Sequence, residues 1–242
     1  MIRGRRVCAL VPARGGSKGI PRKNMYLLEG LSLVERSVRL ARRCAAVDSV
    51  FVSTDDAETT ALADRLGAAT PLPRPAKYAS DIARTIDVVR NLVEDKVLDG
   101  GDCLLLLQPT TPLRTLFDLE QARALLEARW DEADAVVSVA KVDGPHPYKA
   151  QVVRNGYLSA LHGGDASVPR QSLPVAYLPN GALYLAKLDT LLTEDTFLPH
   201  RTLPYEMSAL SSINLDGPLD LLLVEAVIAK GLAAQAIADS DK

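Results

Sequence analysis

The stretch Ala13-Arg-Gly-Gly-Ser-Lys-Gly-Ile-Pro-Arg-Lys-Asn24 holds three glycines, Gly15, Gly16 and Gly19, among four cations, Arg14, Lys18, Arg22 and Lys23. Glycine lacks a Cβ, so such a loop is expected to turn with positive φ and to let its backbone approach a ligand. Successive N–H groups in such a turn form an anion-binding nest, and the cations would neutralise a polyphosphate. The apolar run 7–11 leads directly into the loop. The nest is therefore expected where a buried parallel strand ends, the edge at which open α/β sheets bind ligands. This points to a nucleoside triphosphate. A surface turn with scattered charges is the plainer reading. Neither Gly-x4-Gly-Lys-Ser/Thr nor Gly-x-Gly-x-x-Gly occurs here, so the P-loop and the dinucleotide fingerprint are both excluded.

The elements that must position this loop follow from periodicity. Apolar runs at 6–11, 49–53, 103–107, 135–139 and 182–186 alternate with amphipathic segments, the βαβ rhythm of a mostly parallel sheet. Ser32-Leu-Val-Glu35 predicts a capping box, opening a helix to Arg43 that buries Leu33, Val34, Val38, Ala41 and Cys44. Gly67 predicts the end of the next helix. After a link containing Pro71, Pro73 and Pro75, the spacing of Ile82, Ile86, Val89 and Val93 predicts another. Gln108-Pro-Thr-Thr-Pro-Leu-Arg114 breaks the apolar run before it, and a helix follows to about Arg129. Gly217-Pro218 starts a last helix, with Leu219, Leu222, Leu223 and Val227 expected against the sheet. Between 141 and 180 helical periodicity disappears, and Asn155-Gly156 signals a hairpin. The expected fold is α/β: a three-layer, mostly parallel sheet domain from 1–140 and 181–236, with an inserted lobe at 141–180. Polar segments at strand ends, Ser53-Thr-Asp55, 74–81, Gln108-Pro-Thr, Asn180-Gly181 and 212–216, are expected to line one pocket with the glycine loop.

Composition narrows the partners. The chain has 242 residues, 48% hydrophobic and 24% charged, with a formal net charge of −2. That leaves no basic field for nucleic acid or membrane surfaces, and no apolar stretch approaches a membrane span. The chain enters a strand without a secretory signal pattern, so a cytoplasmic protein is expected. Cys8, Cys44 and Cys103 lie far apart among apolar neighbours and read as buried thiols of a reducing compartment. His146, His162 and His200 lack ligand spacing and read as loop residues.

Taken in order, the glycine loop, Ser-Thr-Asp, Leu-Leu-Gln-Pro-Thr-Thr-Pro-Leu-Arg, Pro-Arg-Gln-x-Leu-Pro and Asn-Gly-Ala-Leu-Tyr span about residues 7–220. They resemble the acylneuraminate cytidylyltransferase (CMP-sialic acid synthetase) family. The resemblance implies a Rossmann-like nucleotidyltransferase fold. It implies CTP and an acidic nine-carbon sugar as substrates, with CMP transferred to the anomeric hydroxyl and pyrophosphate released. Other acid acceptors, and a non-catalytic nucleotide-binding relative, are the alternatives. It implies Mg²⁺ or Mn²⁺ as cofactor, and a homodimer in which the inserted lobe reaches the neighbouring subunit. On the CTP side it implies Arg14, Gly15, Gly16, Ser17, Lys18, Lys23, Asn24, Arg74 and Thr85, with Lys23 and Arg14 catalytic. On the sugar-acid side it implies Gln108, Lys149, Arg170, Tyr184 and Phe197. Two departures stand out. The family's Asp-x-Asp reads Asn214-Leu-Asp216 here, leaving Asp216 as principal metal ligand with Asn214 beside it, or as a mere cap on the last helix. Its paired aromatics read Phe197-Leu198, which points to a relative of sialic acid as acceptor.

Overall fold

The computed structural model describes residues 1–17, 19–68, 74–80, 82–161 and 167–232. Lys18, Pro71, Pro73, Asp81, His162, Gly163, Gly164 and the tail from Ala233 lie outside the described residues. The sheet strands and principal helices run, in chain order, β1 (Val7–Pro12), α1 (Leu33–Arg43), β2 (Ser49–Ser53), α2 (Ala57–Arg65), α3 (Thr85–Glu94), β3 (Cys103–Leu106), α4 (Leu116–Ala128), β4 (Ala135–Lys141), β5 (Gln151–Arg154), β6 (Tyr157–Ala160), β7 (Tyr177–Lys187), α5 (Leu188–Glu194), β8 (Thr202–Met207) and α6 (Pro218–Ala229). The main sheet has six strands in the order β8-β4-β7-β3-β1-β2. β2, β1 and β3 pair in parallel, as do β8 and β4, while β7 runs antiparallel between β3 and β4.

Side chains alternate across a strand, so each strand feeds two cores. Val7, Ala9, Val11, Cys103 and Leu105 face a cluster closed by Val34 and Val38 of α1, Leu62 of α2 and Leu119 of α4. Cys8, Leu10, Leu104 and Leu106 face the other side, closed by Ile86 and Val89 of α3 and Leu188 and Leu191 of α5. The result is the expected three-layer fold, its strands buried on both faces as a continuous apolar run requires. The three cysteines are buried and free.

Several local expectations need correction. Ser32 caps α1 by accepting from the Glu35 N–H at 3.1 Å, but the Glu35 carboxylate does not return the bond. It takes Arg39 one turn on, at 2.6 Å, because a guanidinium at i+4 is a stronger partner than a backbone N–H. Ile82 lies ahead of α3 and is 90% exposed; its spacing matches the helix by coincidence. In α6 the orientation differs from the reading. Val224 and Val227 are buried, whereas Leu219, Leu222 and Leu223 are exposed. The helix is apolar around most of its circumference, so periodicity does not select a face. It packs on Ile20, Leu33, Leu113 and Leu215, beside the glycine loop, not on the sheet.

β5 and β6 form the hairpin, with Asn155 at φ 52° and Gly156 at φ 84°, the left-handed pair of a type I′ turn. β4 and β7 stay paired as far as Lys141 and Tyr177, so the base of the lobe extends the sheet. Between Val137 and Val139 their register shifts, and the excess chain of β7 contains Asn180 and Gly181. Gly181 sits at φ +77°, and a Cβ there would come within 2.6 Å of Gln108 Oε1. Gly181→Ala is therefore expected to cost about 1–3 kcal/mol and to lower the melting temperature by several degrees. Thermal unfolding checks this; an unchanged midpoint would mean that the bulge relaxes without strain.

Candidate active site

At the C-terminal ends of β1 and β3 lies a cavity of about 450 Å³. Among the described residues its charged lining is three cations, Arg14, Lys23 and Arg74, and one carboxylate, Asp216. Ser17, Asn24, Thr85 and Gln108 also line it. One concavity thus gathers residues 14 to 216, the convergence expected of strand ends on one sheet edge.

The loop after β1 is built differently from expectation. None of Gly15, Gly16 and Gly19 has positive φ; the left-handed residue is Arg22, at φ 54°. Gly15 and Gly19 supply room instead, whereas a Cβ on Gly16 would meet nothing within 4 Å. A Cβ on Gly19 would run into the backbone carbonyl of Asp216, so only glycine lets the loop lie against the start of α6. The Gly15 N–H donates to Asp55 Oδ1 at 2.8 Å, and is committed to the protein instead of to an anion. Arg22 pairs with Glu58 on α2, which takes one loop cation out of the cavity. Asn24 is buried and donates to the Arg14 carbonyl at 2.9 Å, closing the loop on itself.

Lys23 spans the site. Its Nζ donates to the Leu215 carbonyl at 2.6 Å and lies 3.4 Å from Asp216 Oδ1. Arg74 donates to the Ser53 hydroxyl and carbonyl at 3.0 and 2.8 Å, which fixes its guanidinium on the end of β2. Burial pulls its pKa below the usual arginine range; Asp55 opposes the shift and the Arg14 charge adds to it. The opposite wall is the 108–111 segment. Arg114 holds it from behind, donating to the carbonyls of Gln108 and Thr111 at 2.5 and 2.9 Å. Thr111 donates to the Asn180 carbonyl at 3.1 Å, and the Leu215 N–H to the Thr110 carbonyl at 2.7 Å.

The residues suit a divalent cation held largely by substrate. Asp216 is exposed at the cavity, and it does not cap α6. That task falls to Asp220, whose Oδ2 accepts from the N–H groups of Asp216 and Gly217 at 2.9 and 2.8 Å. Asn214 is not among the lining residues. It donates Nδ2–H to Asp216 Oδ2 at 2.7 Å and thereby orients the carboxylate. Its Oδ1 is buried with no hydrogen-bond partner, a neutral acceptor adjoining one carboxylate. Mg²⁺ takes one or two carboxylates and completes its shell with water and phosphate oxygens, so this donor set fits in its one-carboxylate form. No cluster of three or more His, Cys, Asp or Glu exists among the described residues.

The sugar-side residues divide. Gln108 lines the cavity. Tyr184 and Phe197 stack edge-to-face at 5.7 Å between centroids and pack on the core beneath α3 and α5; burial raises the Tyr184 phenol. Lys149 and Arg170 are in the lobe and do not line this cavity. Arg170 donates to the carbonyls of Asp143 and Val142 at 2.6 and 2.9 Å and lines a separate hollow with His146. His146 accepts the Tyr148 N–H at 3.2 Å and meets the Pro174 carbonyl at 2.9 Å, an interior loop residue as expected. Tyr78 and Ser80 line this cavity without having been singled out. The only signal was their place in the polar 74–81 segment.

Similarity agrees with this geometry. The family model described as cytidylyltransferase matches residues 8–144. A CMP-N,N'-diacetyllegionaminic acid synthase of Legionella pneumophila is 30% identical over 224 residues, 91% of this chain and 95% of that protein. An N-acylneuraminate cytidylyltransferase of Streptococcus agalactiae is 29% identical over 217 residues, 89% of this chain; the chain spans only 51% of that relative's length. A solved CMP:2-keto-3-deoxy-manno-octonic acid synthetase, complexed with CTP, shares the fold at a TM-score of 0.66 and 19% identity, covering 93% of this chain and 99% of that one. On the matched residues and the near full-length relative, the chain belongs to the cytidylyltransferase family.

Proposed function

We propose that this protein transfers CMP from CTP to the anomeric hydroxyl of a nonulosonic acid, releasing pyrophosphate. The observation that carries this is the single cavity in which Arg14, Lys23 and Arg74 meet Asp216 at a parallel sheet edge. The similar proteins named for sialic, legionaminic and pseudaminic acids support the acceptor class.

The sugar hydroxyl oxygen forms the new bond to the α-phosphorus, the bond from that phosphorus to the bridging oxygen breaks, and pyrophosphate leaves with the electron pair. The hydroxyl proton passes to solvent water. Such a transfer depends on positioning and charge stabilisation, not on a covalent nucleophile. Arg14 and Arg74 would bind the nucleotide from the β1 and β2 side. Lys23 would exchange its Leu215 and Asp216 contacts for the α-phosphate, where charge builds. Gln108 would orient the acceptor from the opposite wall. Asp216, held by Asn214, would carry Mg²⁺ or Mn²⁺, which supplies charge neutralisation of the triphosphate.

Pyrophosphate release with a panel of nonulosonic acids tests the reading. Release is expected with CTP and one acceptor, not with ATP, GTP or UTP, and is expected to stop with chelator and return with Mg²⁺. Release only with another ulosonate or a phosphonate would shift the acceptor class. CTP binding without release would indicate a non-catalytic relative. Lys23→Ala is expected to lower kcat by about a hundredfold, as for loss of a transition-state donor, with a much smaller effect on CTP affinity. Equal losses in both would remove Lys23 from the α-phosphate.

We further infer a homodimer. Val153, Tyr157 and Leu158 of the β5–β6 hairpin are 72%, 77% and 74% exposed, and a two-stranded hairpin does not hold such residues in water unaided. A second copy would cover them and bring Lys149 and Arg170 of one lobe over the other copy's cavity. No helix among the described residues is long and apolar enough to cross a membrane, and the free buried thiols support a reducing, cytoplasmic setting. Leu158→Asp is expected to elute as a monomer in light-scattering chromatography, binding CTP but transferring no CMP. A monomeric wild type with full activity would sink the dimer.

A further inference from the structure

A second concavity, about 790 Å³, opens away from the nucleotide cavity, between α1, the end of α2 and the start of α4. Six arginines line it, Arg36, Arg39, Arg42, Arg43, Arg65 and Arg114, and no carboxylate among the described residues does. In a chain of net charge −2 this is a strong local separation of charge, and it demands counter-ions. Some of the six are engaged. Arg39 pairs with Glu35 at 2.6 Å, Arg36 donates to the Leu28 carbonyl at 3.2 Å and pairs with Glu29 at 3.5 Å, and Arg42 donates to the Leu66 carbonyl. Arg43 and Arg65 make no hydrogen bond or ion pair among the described residues.

Arg114 is the telling member. It is 6% exposed, its Nη atoms are spent on carbonyls of the 108–111 wall and on the Ser37 hydroxyl, and its Nε has no hydrogen-bond partner. No carboxylate lies within ion-pair range of it among the described residues. Burial pulls its pKa down to about 9; Asp118 opposes the shift and the Arg36 charge adds to it. Beside it, the N-terminal turn of α4 opens on the groove through Thr115, Leu116 and Phe117. The carboxylate there, Asp118, is turned onto Thr115 and Tyr205. The reciprocal Thr115–Asp118 bonds close that helix start as a capping box, so the guanidinium forks, a common device for holding phosphate, remain to meet an anion. The floor is apolar, with Leu40, Leu116 and Phe117, which suits an organic body more than a bare ion.

We propose that this groove is a second ligand site, for a small organic phosphate with an aromatic body, and that Arg114 couples its occupancy to the 108–111 wall of the nucleotide cavity. The site is separate from the proposed CTP chemistry and goes beyond it.

AMP is the probe, because the proposed transfer is expected to reject adenine nucleotides. Calorimetry on the intact protein is expected to give one AMP per chain. Affinity should fall by about tenfold or more in Arg43→Glu/Arg65→Glu, since two phosphate-facing charges are reversed, and should persist in Lys23→Ala. Saturating AMP is expected to change the KM for CTP in the wild type and not in the double variant. AMP binding that survives the double variant and disappears in Lys23→Ala would overturn the site. Inorganic pyrophosphate binding the groove as tightly as AMP would overturn the organic-phosphate assignment. An unaltered KM under saturating AMP would overturn the coupling. AMP binding is read without turnover, so failure of the proposed transferase activity leaves the binding test intact; the coupling is then read as the change that saturating AMP makes in the Kd for CTP by calorimetry, and an unchanged Kd overturns it.

Discussion

The site depends on one long-range closure. The loop after β1 meets the start of α6 across 192 residues of sequence, through Lys23 Nζ on the Leu215 carbonyl. The Gly19 backbone lies against Asp216 in the same place. Without that closure Asp216 would be a solvated carboxylate on a helix-leading turn, and Lys23 a loop cation. With it, a charge-stabilising ammonium and a carboxylate are set on one wall before any ligand arrives. Preorganisation of this kind matters most when catalysis rests on electrostatics, because charges already oriented cost little reorganisation in the transition state. The closure also explains the packing of α6. Its buried residues Val224 and Val227 share a cluster with Ile20 and Leu215, so the helix exists to hold the loop.

The opposite wall is fixed by polar contacts. Arg114 holds the carbonyls of Gln108 and Thr111, Thr111 reaches Asn180, and Asn180 donates onward to Ser212 at 2.8 Å. Asn180 also accepts from Ser138 at 2.6 Å, inside the register shift of β4 and β7. A buried guanidinium is expensive. Carbonyl dipoles and the Ser37 hydroxyl hold it directly, and the nearby Asp118 carboxylate favours its charge. The bulge, the left-handed Gly181 and the buried arginine are therefore one device. Each is a local cost, and together they fix where the Gln108 side chain points.

Much of this was legible in the sequence. Strands covered on both faces announce themselves as continuous apolar runs, and β1 to β4 and their order of alternation with helices follow from that. The cavity was legible too: Arg14, Ser17, Lys23, Asn24, Arg74, Thr85, Gln108 and Asp216 all line it. What failed had identifiable physics. Three glycines suggested positive φ, but Gly15 and Gly19 serve through the room left by a missing Cβ, Gly16 stands in open space, and the left-handed residue among the described loop residues is Arg22. Helical spacing enrolled Ile82 because a period carries no start signal. α6 is apolar on nearly every side, so its buried face is chosen by tertiary packing. Asp220 and Asp216 both precede or open the helix, and only geometry separates the cap from the carboxylate that faces the cavity. Lys149 and Arg170 carry the right chemistry in a lobe whose position relative to a cavity no local pattern encodes.

The substitution of Asn214 for a carboxylate fits the same electrostatic logic. A second anion beside Asp216 would compete for Lys23, whose Nζ is 3.4 Å from Asp216 Oδ1, and would raise the cost of bringing in a triphosphate. The amide instead donates to Asp216 Oδ2 at 2.7 Å, which orients the carboxylate while drawing off part of its charge. Among the described residues the site then holds three lining cations against one anion. A hard cation with few protein ligands completes its shell with water and phosphate oxygens, and among the described residues Asn214 Oδ1 is left without a hydrogen-bond partner.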